Sequence, residues 1–388
     1  MLKYGNQTLF SKGIDASGIL SWNESISKRK FQELFFCGDL LEFCKEKIDM
    51  NQNAALSEEM KELIVSEMNA NEKDNPEKIA EKKELLTEEV TKPIIEVFDN
   101  GSGDITKINA GNSDMHKDQD DKVIRKNKMT IAALNKSYSR SLLLKKFYIM
   151  DSSTSIDNNI FQVKKLVHMD LRIKKTKEPQ VLIFHTHGAS ESFVDSKKGK
   201  EEDSIIGVGT ELAKELSEKY GYQVIHDKTP YDRIGGKIDR NKAYNNAYEG
   251  VNSILKKYPS IQVVIDLHRD GVGNRKKKVV TIGGKKTAQV MFFNGLSRNA
   301  SGDIAYLKNK NLQGNLAFSL QLKMACMQHY EEFAKPIYLK SYRYNMHLRK
   351  RFTLIELGNE NNTVAEEKNA VIPLARVIDE VLCGKSRK

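Results

Sequence analysis

From Val181 onward the chain alternates between short apolar runs and stretches of helical spacing. Val181-Leu-Ile-Phe184 is unbroken apolar sequence, and Ile261-Gln-Val-Val-Ile-Asp-Leu-His268 and Thr353-Leu-Ile-Glu356-Leu-Gly358 are built on the same plan. Short runs of this kind, rich in β-branched residues and bounded by turn formers, are strands buried on both faces. Residues 222–226, 279–282 and 289–293 read as further strands, the last two with Gly283-Gly284 turning between them. Helical spacing fills the gaps. Residues 209–220 place Leu212, Ala213 and Leu216 on one face and Glu and Lys on the other, with Gly221 as the C-cap glycine. Residues 242–257, closed by Pro259, together with 315–334 and 366–382, complete the helices. Alternating strand and helix predicts an α/β fold with a mostly parallel sheet flanked by helices. Shorter pieces at 147–150, 161–163 and 167–173 lead into it, so the domain is expected to run over 142–384, with His168 in a structural role.

The sequence before it is different. Residues 1–50 form a mixed segment with one amphipathic helix over 30–48, its apolar face made by Phe31, Leu34, Phe35, Leu41 and Phe43, with Trp22 just ahead. Residues 51–141 turn to Lys, Glu, Asn and Asp and read as a charged, low-complexity and partly disordered spacer, with solvated helix over 58–90. The Asp118, Asp120 and Asp121 cluster lacks the spaced ligands and fixed glycine of a calcium loop, so it reads as solvated sequence.

Lys and Arg number 63 against 52 Asp and Glu, a formal net charge of +11. That balance suits an anionic polymer or surface, but no basic stripe interleaved with aromatics appears, which argues against nucleic acid. The four cysteines, Cys37, Cys44, Cys326 and Cys383, form no Cys-x-x-Cys pair, excluding a cysteine zinc site and a dense disulfide framework. Cys37 and Cys44 read as free buried thiols. No stretch approaches the roughly 20 apolar residues of a membrane helix, and Met1-Leu-Lys-Tyr-Gly-Asn6 lacks the order of a signal peptide.

The candidate chemistry lies at strand ends. Val181–Phe184 runs into His185-Thr-His187-Gly-Ala-Ser-Glu191, a second strand ends in His268, and a third carries Glu356. In an open α/β sheet the loops at the carboxyl ends of neighbouring strands converge on one crevice. Two imidazoles and a carboxylate with an open position make a catalytic zinc set, and a further carboxylate can act as base. Either His185 or His187 can face the metal at this spacing.

The runs Phe184-His-Thr-His-Gly-Ala-Ser-Glu191, Val263-Val-Ile-Asp-Leu-His-Arg-Asp-Gly271 and Leu354-Ile-Glu-Leu-Gly358, with Asn362-Thr363 beyond, closely resemble stage II sporulation protein P. That family comprises peptidoglycan hydrolases similar in fold to the zinc N-acetylmuramoyl-L-alanine amidases. The resemblance covers about residues 147–382, and Asn315, Ala317, Tyr344 and Asn345 also look like family positions. It implies Zn2+ held by His187, Glu191 and His268, with His185 as support or alternative ligand and Glu356 as the catalytic base. It implies cleavage between muramic acid and the stem peptide, with endopeptidase activity on cross-links besides, and action with the sporulation proteins D and M in septum thinning and engulfment. The expected location is extracytoplasmic, at the septum or engulfing membrane. Members of the family usually carry an N-terminal membrane helix that this sequence does not show: the expectation is a truncated chain, a late start, or placement by partners, for which the amphipathic helix at 30–48 could serve. Arg269, with Asp270, Tyr344 and Asn345, is a candidate for substrate binding; Arg269 can pair with a stem-peptide carboxylate or with Asp266 or Asp270. The same ligand set serves a zinc carboxypeptidase or deacylase, and a non-catalytic wall-binding scaffold would keep the fold without turnover.

Overall fold

The computed structural model describes residues 93–99, 121–157, 159–273 and 277–385. In chain order the main elements are β1 (Ile95–Phe98), α1 (Asp121–Ser137), α2 (Arg140–Phe147), β2 (Tyr148–Met150), α3 (Val163–His168), β3 (Val181–Phe184) and α4 (Ile205–Lys214). Then come β4 (Val224–Asp227), α5 (Arg240–Lys257), β5 (Val263–Asp270), β6 (Val290–Gly295), α6 (Leu312–His329), β7 (Ile337–Lys340), β8 (Arg351–Asn359) and α7 (Val364–Cys383). The strands form one eight-stranded sheet in the order β1-β4-β3-β5-β8-β6-β7-β2. Its pairings are parallel except β1 with β4 and β6 with β8. The mostly parallel α/β fold expected from the sequence is what forms.

Period-2 alternation sorts the strand residues between two cores. Val181, Ile183, Val263, Ile265, Leu267, Ile355 and Leu357 join the larger one, with α3, α4, α6 and α7. Leu182, Phe184, Val264, Phe352 and Leu354 face the other way and pack under α5 through Ala247, Val251, Ile254 and Leu255. Asp266, His268 and Glu356 have the parity of this second set, so the polar ends of β5 and β8 open on the face that α5 covers.

Some boundaries differ from the sequence reading. Two pieces of the stretch read as spacer enter the domain: β1 pairs with β4, and α1 buries Ile131 and Leu134 in the larger core. Gly283-Gly284 does not link two strands of the main sheet. It turns a separate hairpin of Val279–Ile282 with Lys285–Ala288, and β6 follows. α4 begins earlier than expected, at Ile205, capped by the Ser204 side chain, and passes into a π turn over Glu215–Lys219 before Gly221, at φ 71°, ends it. The helix at 30–48, the solvated helix at 58–90, the Asp118 and Asp120 positions, Cys37 and Cys44 lie outside the described residues. Cys326 and Cys383 are free. Among the described residues no helix is long and apolar enough to cross a membrane.

Candidate active site

β3, β5 and β8 are adjacent and parallel, so their carboxyl ends lie side by side. Phe184 is level with Asp266, and Glu356 with His268. His187, Glu191 and His268 are all nearly sealed from solvent, at 4, 3 and 2% exposure. The His187 and His268 rings meet edge to face with centroids 5.4 Å apart. His268 Nδ1 lies 3.3 Å from Glu191 Oε1, and its Nε2 lies 2.7 Å from Asp266 Oδ1. Burial alone opposes a charge on His268, but Asp266 and Glu191 outweigh it and hold its imidazolium well above the usual range. His187 goes the other way: burial first, then His268, Arg240 and Arg269, push it well below. Burial raises Glu356 to about 8, against the pull of His268, with Glu191, Asp270 and Asp266 adding to the rise.

Three buried atoms here have no hydrogen-bond partner: His187 Nδ1, Glu356 Oε2 and His268 Nε2, whose 2.7 Å approach to Asp266 is a charge contact. Such groups are costly unless something binds them. The donor types, two imidazoles and nearby carboxylates, suit zinc. The set is not closed, since both ring nitrogens of His268 lie against carboxylates, and among the described residues no group of three or more His, Cys, Asp or Glu side chains is arranged to hold a metal ion. Donor chemistry and the unpaired His187 nitrogen therefore fit a metal, with His268 Nδ1 beside Glu191 and Asp266 against the other ring nitrogen.

His185 does not share this position. Its Nδ1 donates to Leu267 O at 2.7 Å, which leaves Nε2 to accept from His226 Nε2 at 2.8 Å. Burial pushes His185 down to about 4 and His226 well below its ordinary value, so both rings are neutral. α4 crosses this pair at Gly209, where a Cβ would collide with both imidazoles. His187 is the histidine of the two that faces His268.

Neighbouring residues hold the loop that carries His187. Asp266 accepts from Thr186 N at 2.9 Å and Thr186 Oγ1 at 2.7 Å. The fully buried Asp232 accepts from Ala189 N and Ser190 N at 2.9 and 3.0 Å. Glu191 Oε2 accepts the Arg269 N–H at 2.9 Å. The Arg269 guanidinium donates to Ser192 O and Asp270 O rather than to a carboxylate, and Asp270 pairs with Lys335 at 3.4 Å. Asn345 is buried and donates to Tyr244 O at 2.9 Å, and the Tyr344 ring packs on Tyr244 at 5.3 Å. Asn315 ties α6 to the start of β8 through Arg349 O and Lys350 O. His168, bonded to the Tyr138 hydroxyl at 3.0 Å, lies with Tyr138 in a separate hollow of about 670 Å³ that none of the candidate site residues lines.

Sequence reasoning missed Asp232, Arg240 and Tyr244. Arg240 NH1 donates to Ser190 Oγ at 2.8 Å, and the Tyr244 ring stands perpendicular to His187 at 5.4 Å. The one available signal was the N-cap: Asp239 caps α5 and so fixes Arg240 and Tyr244, four residues apart, on one helical face.

An α/β domain whose parallel strands deliver histidines and carboxylates to one sheet end has a polar crevice where open sheets of this kind bind ligands. The profile of the family Stage II sporulation protein P matches residues 33–379, and the chain belongs to that family. No curated protein matches the chain. Solved structures similar to it include an N-acetylmuramoyl-L-alanine amidase of Nostoc punctiforme, 13% identical, covering 55% of this chain and 100% of its own, with a TM-score of 0.35. Amidases of Clostridium difficile 630 (13% identity, 53% of this chain and 95% of its own) and Mycobacterium abscessus (11%, 54% and 100%) both have TM-scores of 0.32.

Proposed function

We propose that this chain is a metal-dependent peptidoglycan hydrolase of sporulation that cleaves the amide between N-acetylmuramic acid and the stem-peptide L-alanine. The observation that carries the reading is the meeting of His187, Glu191, His268 and Glu356 at one sheet end, with His187 Nδ1 and Glu356 Oε2 buried and unpaired, in a chain of this family. His187, Glu191 and His268 would hold the metal, which when bound supplies Lewis acidity toward a carbonyl oxygen. Glu356 is the proton carrier. Burial raises its proton affinity above that of an ordinary glutamate, so its carboxylate form is the stronger base, able to take a proton from water and return it to the leaving amine. Asp266 and Asp232 fix the backbone of the His187 loop, and Glu191 is itself fixed by the Arg269 N–H.

The test is digestion of purified sacculi with zinc-loaded protein. Soluble muropeptides with a new N-terminal L-alanine are expected, and His187→Ala, His268→Ala and Glu356→Gln each lower the release by roughly 100-fold or more. Metal analysis of the purified protein should find about one zinc per chain, lost in His187→Ala. New termini inside the peptide would instead mark an endopeptidase or carboxypeptidase. Binding to sacculi with no release at all would mark a scaffold and sink the proposal.

A further inference from the structure

We propose that Arg240 reads a free carboxylate on the substrate, close to the scissile amide, and that Tyr244 sets its distance from His187. This rests on the hydrolase reading above and names the chemical class of substrate the site prefers.

Arg240 stands at the border of the buried polar cluster. Its side chain is 42% exposed while that of Glu191 is 2% exposed. Glu191 does not saturate it: the closest approach, NH2 to Oε1, is 3.9 Å, too long for a hydrogen bond. Glu191 already accepts from Arg269 N and lies against His268. The hydrogen bond formed by the guanidinium goes to Ser190 Oγ, a hydroxyl that can rotate away. A guanidinium offers a planar fork of five donors that matches a carboxylate, and at a half-exposed position such a fork is open to an incoming anion. Arg269, the other guanidinium beside Glu191, is built differently: its Nε and NH1 go to backbone carbonyls. Arg240 is thus the guanidinium in position to receive an anion.

Its placement is rigid. α5 is rooted in the smaller core by Ala247, Val251 and Ile254, and Asp239 caps its start by accepting from Asn241 N and Lys242 N. One turn on, Tyr244 stands on the His187 ring. Tyr244 is held from behind by Tyr344 and Asn345, which both take left-handed φ values of 45° and 57°. Consecutive non-glycine residues in that region are strained, and strain of this kind persists where the surroundings enforce it. An anion on Arg240 therefore sits at a fixed offset from His187, which suits a peptide whose carboxylate lies a residue or so from the cleaved bond.

The experiment uses the full chain with zinc and two muramyl peptides, identical except that the carboxyl nearest the scissile amide is free in one and a carboxamide in the other. Wild type should favour the free acid by about tenfold or more in kcat/KM, chiefly through KM, because a lost charged fork costs a site more than a lost methylene. Arg240→Gln should bring that ratio to within about twofold of one, and Arg240→Lys should keep part of it. Thermal melts of both variants verify folding, and Arg240→Lys keeps the test open if Arg240→Gln does not fold. An unchanged ratio in the variants, or a wild type indifferent to the two substrates, overturns the proposal and leaves the hydrolase reading standing. No cleavage of either substrate by the wild type overturns both.

Discussion

Asp232 is the residue from which the His187 loop hangs. Its two carboxylate oxygens accept Ala189 N and Ser190 N, and its carbonyl accepts Asp239 N, so one buried residue ties the loop after β3 to the start of α5. Asparagine keeps one acceptor oxygen and presents a donor where the other was. Asp232→Asn is expected to cost about 1–3 kcal/mol in a denaturant titration, the usual penalty for a buried group left unpaired. It should also weaken zinc binding by roughly 10-fold or more, as loss of a supporting partner does. Nothing in the sequence announces Asp232, which lies 43 residues from Ala189 and in no motif. Glu356 makes a second prediction. Its folded pKa of about 8 lies above the ordinary 4.5, and His268 is likewise raised. A raised group contributes stability that is full below its unfolded pKa and is lost as pH rises through the folded one. In metal-free protein the Glu356 contribution should therefore fade between pH ~4.5 and ~8, so the stability of wild type relative to Glu356→Gln should fall across that range, the lowered His185, His187 and His226 adding their opposite slope below ~6.5 to both chains. A difference between the two chains that stays constant or grows with pH in EDTA would refute this.

At the scale of elements, burial decided what could be read in advance. β3, β5 and β8 are buried on both faces, so their apolar runs stood out, and the ionisable residues at their ends stood out with them. β2 buries only Tyr148 and β7 alternates buried with half-exposed positions toward the sheet's far edge, so neither has the unbroken apolar run that marks a core strand. The Lys285–Ala288 strand begins with two exposed lysines, which hid the hairpin. α6 is buried nearly all round, from Gly314 to Cys326, and includes Lys323. Its ammonium donates to Ala334 O, and burial pushes it down to about 8. The sign is opposite to that of Glu356: a lysine lowered from 10.5 costs stability while charged, and stability returns as pH rises from ~8 toward ~10.5. Lys323→Met should stabilise the protein at pH 7 by about 1–3 kcal/mol and abolish that rise, read from denaturant midpoints at pH 7 and 10. A destabilised variant would mean that the Ala334 carbonyl needs its donor more than the core needs an apolar chain.

For the whole molecule, parallel order explains why the strand-end residues of the site were legible and its wall was not. Parallel neighbours put the ends of β3, β5 and β8 together whatever their sequence separation, so listing strand ends located His187, His268 and Glu356. Arg240 and Tyr244 reach the same place only because α5 crosses the opposite core, a relation that no local pattern encodes. The near edge of the sheet was misread for a similar reason. β1 is half exposed and brief, and its neighbours in sequence are charged, yet it covers the wholly buried β4. Besides the strand pairing, Ile94 N donates to Thr229 Oγ1, Lys228 N donates to Ile94 O, and Gln223 Nε2 donates to Asp99 Oδ1. An uncovered β4 would present a row of unpaired backbone groups, a template for pairing with a second chain. A chain beginning at residue 100 should therefore melt about 3–10 °C below one beginning at residue 93 and aggregate more readily as concentration rises, by the usual conversion of one to three kcal/mol in a domain of this size. The same comparison governs any deletion meant to test docking by the N-terminal segment: a cut after 92 keeps β1, whereas a cut after 128 removes β1 and part of α1. Equal melting temperatures and equal solubility for the two chains would show that β1 contributes nothing to the sheet edge.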